Sequence, residues 1–204
     1  MSETRRMQLS EEAIASWEHF DLGISSSVRR NFVVSASRVG DWDRSWDFFA
    51  YSYSRAFEVL WDAAYARGSS GIFDYPVLFI ARHSIELWLK VAIQSVTLSD
   101  PPEGHGLHYL WTKLMEALEN HMGSPLDDFY SGSVREMISA LDSHDGKGDR
   151  FRYPAARNCK TYMSSMVDLE ELYRAHELIT GFCDAVETQM TVERDQEHWA
   201  TCDL

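Results

Sequence analysis

Four ionisable side chains stand close together in one otherwise apolar stretch, Phe79-Ile80-Ala81-Arg82-His83-Ser84-Ile85-Glu86-Leu87-Trp88-Leu89-Lys90-Val91-Ala92-Ile93. On a helix, at about 100° per residue, Arg82, His83, Glu86 and Lys90 share an arc of roughly 100°. Histidine can move a proton near neutral pH, a carboxylate can orient it, and fixed cations can hold an anion or the negative charge that builds in a reaction. Burying such groups is costly unless they neutralise one another. Two arrangements meet that demand. The stripe either faces water, with Arg82–Glu86 and Glu86–Lys90 pairs at four-residue spacing worth about 0.2–0.5 kcal/mol each, or it is partly buried and lines a site. Phe79 and Leu87 share the stripe, and such residues are not normally left wet, which favours the partly buried arrangement.

Two further clusters carry reactive side chains. In Gly104-His105-Gly106-Leu107-His108 a histidine sits between glycines at the start of a helical pattern. His105 either caps that helix or reaches back to the Arg82 stripe on the helix before it. His105 and His108 have ligand-like spacing, yet no further Cys or His completes a set, so neither a metal nor any cofactor is expected. In Asp149-Arg150-Phe151-Arg152-Tyr153-Pro154 cations and aromatics concentrate in an acidic chain. Arg150 and Arg152 have the fork that grips phosphate, and Tyr153 can stack on a base, so this is the stretch expected to touch RNA or a nucleotide. Alternatively Arg152 pairs internally with Glu86, or the stretch is a strap tying a loop to the core. Gly-x-Gly-x-x-Gly, P-loop, Gly-x-Ser-x-Gly and His-Glu-x-x-His patterns are all missing, which removes support for dehydrogenase, ATPase, serine hydrolase and zinc protease readings.

The elements that must position these residues read as helices. Over residues 41–67, Trp42, Trp46, Phe49, Tyr53, Phe57, Leu60, Trp61 and Ala64 recur at three- and four-residue steps, and Gly68 stands where a C-terminal cap belongs. A Gly-Ser-Ser-Gly loop leads to a second long helix over 75–96, with Pro76 in its first turn, and apolar residues at nearly every azimuth mark it as central. Pro101 and Pro102 break the chain before a third helix over about 107–121, and a fourth is expected over about 125–141. A polar loop over 142–149 then feeds an extended Arg150–Pro154 piece, because the residue before a proline is biased away from helix. The last helix begins near residue 168, and a charged tail after about Thr191 is expected to fray. The architecture is therefore all-α, an up-and-down bundle of four or five long helices over 41–190. It is preceded by an extension over 1–40, with a helical candidate at 10–19 and a strand or strap at 31–37, and followed by a tail over 191–204.

A chain of 204 residues with 45% hydrophobic and 13% aromatic residues can bury a substantial core without staples. Cys159, Cys183 and Cys202 are odd in number and widely spaced, so a reducing compartment is expected rather than a disulfide framework. The absence of an apolar leader and of a long apolar run points to a cytoplasmic protein with no membrane partner. A net charge of −13 argues against non-specific coating of nucleic acid, though not against one small basic site.

Arg82-His83-Ser84-Ile85-Glu86-Leu87-Trp88-Leu89-Lys90, then Gly104-His105-Gly106-Leu107, then Phe151-Arg152-Tyr153-Pro154, then Val167-Asp168-Leu169, taken in that order, resemble bacterial proteins of the HEPN superfamily (higher eukaryotes and prokaryotes nucleotide-binding). The resemblance spans roughly residues 41–190. It implies a helical bundle, commonly a homodimer, and in active members a metal-independent endoribonuclease used in toxin–antitoxin, CRISPR-associated and anti-phage systems. Active members usually show Arg, four to six residues, then His on one helix. This chain has no such spacing, its nearest approach being Arg194-Asp195-Gln196-Glu197-His198. A ribonuclease of this kind would draw its catalytic groups from Arg82, His83, Glu86 and His105. Either histidine would serve as base or acid, Arg82 and Arg152 would lie on the phosphate, and Glu86 would orient a histidine or hold an arginine. Lys90, Arg150, Arg152 and Tyr153 would bind RNA or nucleotide. The alternative is a non-catalytic member that binds RNA, nucleotide or a protein encoded in the same operon.

Overall fold

The structure, a computed structural model, describes residues 45–66, 72–146, 150–152 and 168–202, all within the unit Asp41–Leu204. The expectations for residues 1–44, including the helical candidate at 10–19 and the strand or strap at 31–37, fall outside these residues, as do Tyr153 and Pro154. Five helices follow one another: α1 (Trp46–Ala66), α2 (Asp74–Thr97), α3 (Leu107–Met122), α4 (Phe129–Asp145) and α5 (Leu169–Cys202). Among the described residues there is no strand, and no helix is long and apolar enough to cross a membrane. The result is an all-α bundle in which each helix packs on the next and α2 also packs along α5.

α2 is the axis because it has no polar face to give to water. It buries Val77, Ala81, Ile85, Leu89 and Ile93 together with Leu87 and Val91, so its whole circumference is covered. α3 and α5 close over Ile85 and Leu89 with Leu110, Leu114, Ile179 and Phe182. α1 contributes a narrower seam, Ala50, Phe57 and Ala64 at seven-residue spacing, with Phe57 and Ala64 against Val77, Ala81 and Leu172 and Ala50 against Leu87 and Val91. Alanines at two of the three seam positions let α1 and α2 approach closely around the single large ring of Phe57.

Four features depart from the sequence pattern, each for a visible reason. α4 starts at Phe129 rather than near residue 125, because Asp128 caps it: its carboxylate accepts the Ser131 amide at 2.7 Å, and the Ser131 hydroxyl accepts the Asp128 amide at 3.3 Å. α4 also continues to Asp145, so part of the expected polar loop is a last helical turn whose carboxylates have partners elsewhere in the fold. Residues 150–152 form a turn, not the start of an extended piece. The Arg150 amide donates to Asp145 Oδ1 at 3.0 Å and its guanidinium to the His144 carbonyl at 3.1 Å. Nor does the chain fray after Thr191. α5 runs on to Cys202, held to the end of α2 by Arg194, which donates to the Ser95 carbonyl at 2.8 Å and to Thr191 Oγ1 at 2.9 Å.

Candidate functional site

The charged stripe of α2 is buried and paired. Glu86 is 1% exposed, Arg82 3% and Lys90 7%. Glu86 is the hub: Oε1 accepts from Lys90 Nζ at 3.0 Å and lies 2.7 Å from His105 Nδ1, while Oε2 accepts from Arg82 Nη1 at 3.4 Å. Burial on its own would raise the Glu86 carboxyl, but hydrogen bonds from His105 and Lys90 and their charge outweigh it and hold the group below the usual carboxylate range. Glu86 is therefore ionised and can only accept, so His105 presents Nδ1–H to it, and in the neutral form of the ring the lone pair stands on Nε2. The His105 side chain is 66% exposed although its partner is not. A solvent-facing imidazole oriented by a buried carboxylate is a competent base.

Arg82 is placed differently from the expectation that it lies on substrate. All three guanidinium nitrogens point inward: Nη1 to Glu86, Nε to the Asp145 carbonyl at 3.0 Å, and Nη2 to the His105 carbonyl at 2.5 Å. It ties the α2–α3 loop and the end of α4 to α2. His105 does not cap α3 either. The N-cap is Gly106, and the acceptor for the Leu107 amide is Asp142 Oδ1 of α4 at 3.0 Å. No local pattern marks Asp142 or Asp145 as part of the site, since both fall in the stretch whose composition predicts a polar loop. The available signal was indirect: a helix whose N-cap is glycine must find its acceptor elsewhere.

His83 is half-buried on the flank of the stripe, its ring 4.5 Å edge-on from Tyr53 and 5.9 Å from the parallel ring of Phe79. Its Nδ1 is buried without a hydrogen-bond partner. Burial lowers its pKa, Glu86 works against that, and the charges of Arg152, Lys90 and Arg82 add to the lowering. Arg152 does not pair with Glu86. It is exposed, with its guanidinium 5.0 Å above the Phe79 ring and hence on the His83 side of the stripe. Lys90 stands 5.6 Å from the Trp46 ring centre. Arg150 and Phe151 line a cavity of about 330 Å³ with Leu141, His144 and Leu172, apart from the stripe. Tyr153 lies outside the described residues.

A second polar cluster occupies the opposite face of α2 and carries no charge. Trp88 Nε1 donates to Ser54 Oγ at 2.8 Å, Ser54 and Ser84 hydroxyls are 2.8 Å apart, and Ser84 Oγ is 3.0 Å from Nε2 of His176. His176 is 1% exposed, packed 4.1 Å from the Phe57 ring, and burial lowers its pKa to about 4. Among the described residues no three His, Cys, Asp or Glu side chains come together as a metal-binding group. The chain matches no protein-family model, no characterised protein sequence and no solved structure.

Proposed function

We propose that the protein is a metal-independent endoribonuclease of the kind the HEPN resemblance implies, acting in a bacterial defence or toxin–antitoxin system, with His105 and Glu86 as its proton-transfer dyad. The observation that carries this reading is the 2.7 Å contact between exposed His105 and buried, ionised Glu86. In the proposed reaction His105 Nε2 takes the proton of a ribose 2′-hydroxyl. The 2′-oxygen attacks the adjacent phosphorus, and the 5′-oxygen leaves with a proton from water, since His83, its pKa lowered by burial, is neutral, giving a 2′,3′-cyclic phosphate and a 5′-hydroxyl end. Charge on the phosphorane falls to Arg152, which is exposed beside His83, rather than to Arg82, whose nitrogens are all engaged inward. Glu86 fixes the tautomer of His105, and Arg82 and Lys90 fix Glu86.

The test is cleavage of single-stranded RNA and tRNA by the purified protein in EDTA, beside an oligonucleotide carrying 2′-deoxyribose at every position. The reading expects cyclic-phosphate ends from RNA and none from the deoxy strand. Cleavage of both strands, or of neither, removes it.

A second reading has its own support. The inward commitment of Arg82 and Lys90, and the exposed rings of Phe49, Tyr51 and Tyr65 on α1, also suit a non-catalytic module. In such a module the stripe braces the bundle, and the α1 rings dock a protein encoded alongside or a second copy. Absence of cleavage together with a stable complex broken by Tyr51→Ala selects this reading.

A further inference from the structure

We infer that Asp142, on α4, is a positioning residue for His105, setting where the imidazole stands although its own hydrogen bond goes to the Leu107 amide. His105 lies between Gly104, at φ 120° where a side chain would be strained, and Gly106, so its backbone is intrinsically the most pliable in the region. Something outside the loop must fix it. On one side the His105 carbonyl is held by Arg82 Nη2, and the same guanidinium holds the Asp145 carbonyl through Nε. On the other side Asp142 Oδ1 accepts the Leu107 amide. Gly106 offers no side chain for this purpose, and no side-chain cap is made from that position. The carboxylate also lies at the positive end of the α3 dipole, so charge reinforces the hydrogen bond.

The last turn of α4 thus grips both flanks of His105, directly through Asp142 and indirectly through Asp145 and Arg82. Glu86 cannot follow if the loop shifts, because it is itself held by Arg82 and Lys90 within the core. A loop displacement of about 1 Å carries a 2.7 Å contact past hydrogen-bonding range. The sequence places Asp142 thirty-five residues from Leu107, so only the fold reveals the link.

This inference rests on His105 as the proton-transfer group for its functional meaning, but its test reads the ring itself. The ring-nitrogen ¹⁵N resonances of His105 are compared at about pH 8, where an imidazole is neutral, in the full chain and in Asp142→Ala, Asp142→Asn and the Asp142→Ala, Gly106→Ser double variant. Wild type and Asp142→Asn, which keeps an acceptor oxygen, are expected to show the Nδ1–H form. Asp142→Ala is expected to lose it, with Leu107 amide exchange faster by about tenfold. The double variant supplies α3 with its own cap, so Leu107 protection returns while the tautomer does not, which separates helix stability from ring placement. An unmoved tautomer in Asp142→Ala, or its recovery in the double variant, overturns the inference. Loss of the tautomer in a protein that cleaves no RNA leaves the positioning intact and removes only the ribonuclease reading.

Discussion

The two faces of α2 bury polar groups by opposite strategies. On one face Arg82, Glu86 and Lys90 carry formal charges, each compensated, and the network opens to water at a single side chain, His105. On the other, Trp88, Ser54, Ser84 and His176 form an uncharged chain that ends at a buried nitrogen without a hydrogen bond, His176 Nδ1, which lies 3.7 Å from Glu177 Oε1. A buried charge loses much when a buried partner is removed, whereas a neutral chain loses one modest hydrogen bond at a time. The charged face therefore has the character of a built site, and the neutral face that of a helix-to-helix tie between α1, α2 and α5.

The sharpest way to break this contrast is to remove the hub of each face. Glu86→Ala strands two buried cations and is expected to cost about 3–5 kcal/mol in urea unfolding, against about 1–3 kcal/mol for Ser84→Ala. Equal losses would mean that the charges are solvated and the stripe is no site.

Acid should act on the neutral face first. His176 has a folded pKa of about 4 against 6.5 for an unperturbed histidine. The unfolded chain therefore binds a proton below pH 6.5 that the folded protein refuses until about pH 4. The stability that a neutral His176 contributes is thus present above pH 6.5 and is lost as pH falls towards 4, by about 3 kcal/mol in all. Glu86 runs in the same direction but lower: its depressed carboxyl adds stability that is fully present above the ordinary value of 4.5 and disappears as pH falls through its own lower pKa. Chemical unfolding of wild type and His176→Leu from pH 7 down to pH 4.5 reads this directly. The variant should lose most of the slope, and an unchanged slope would place the acid-sensitive group elsewhere.

Smaller effects sharpen the picture. Trp88→Phe deletes one donor to Ser54 and should cost about 1 kcal/mol. His105→Ala, which removes a largely exposed ring, should cost no more than about 1 kcal/mol in thermal unfolding. A larger loss would make His105 a structural member of the network rather than its outlet.

Much of the fold was legible because α1, α2 and α3 carry long helical periodicities, and these placed the three helices to within a few residues. The stripe was legible too, since Arg82, Glu86 and Lys90 recur at four-residue steps. What was hidden depends on contacts distant in sequence. The extra turn of α4 exists with Asp142 and Asp145 tied to Leu107, Arg150 and Arg82, and no local pattern records those ties. The inward turn of Arg82 was hidden for the same reason, because its acceptors are the backbone carbonyls of residues 105 and 145. The persistence of α5 past Thr191 depends on Arg194 reaching the Ser95 carbonyl, which composition alone reads as charged tail.

The role assigned to the exposed end of the charged face is tested most directly by the initial rate of RNA cleavage in EDTA, wild type against His105→Ala, with both proteins shown to be folded by thermal unfolding. A fall of about 10²-fold or more at nearly unchanged stability is the predicted result. Equal cleavage by the two proteins would contradict the dyad and leave the stripe as a brace inside the bundle.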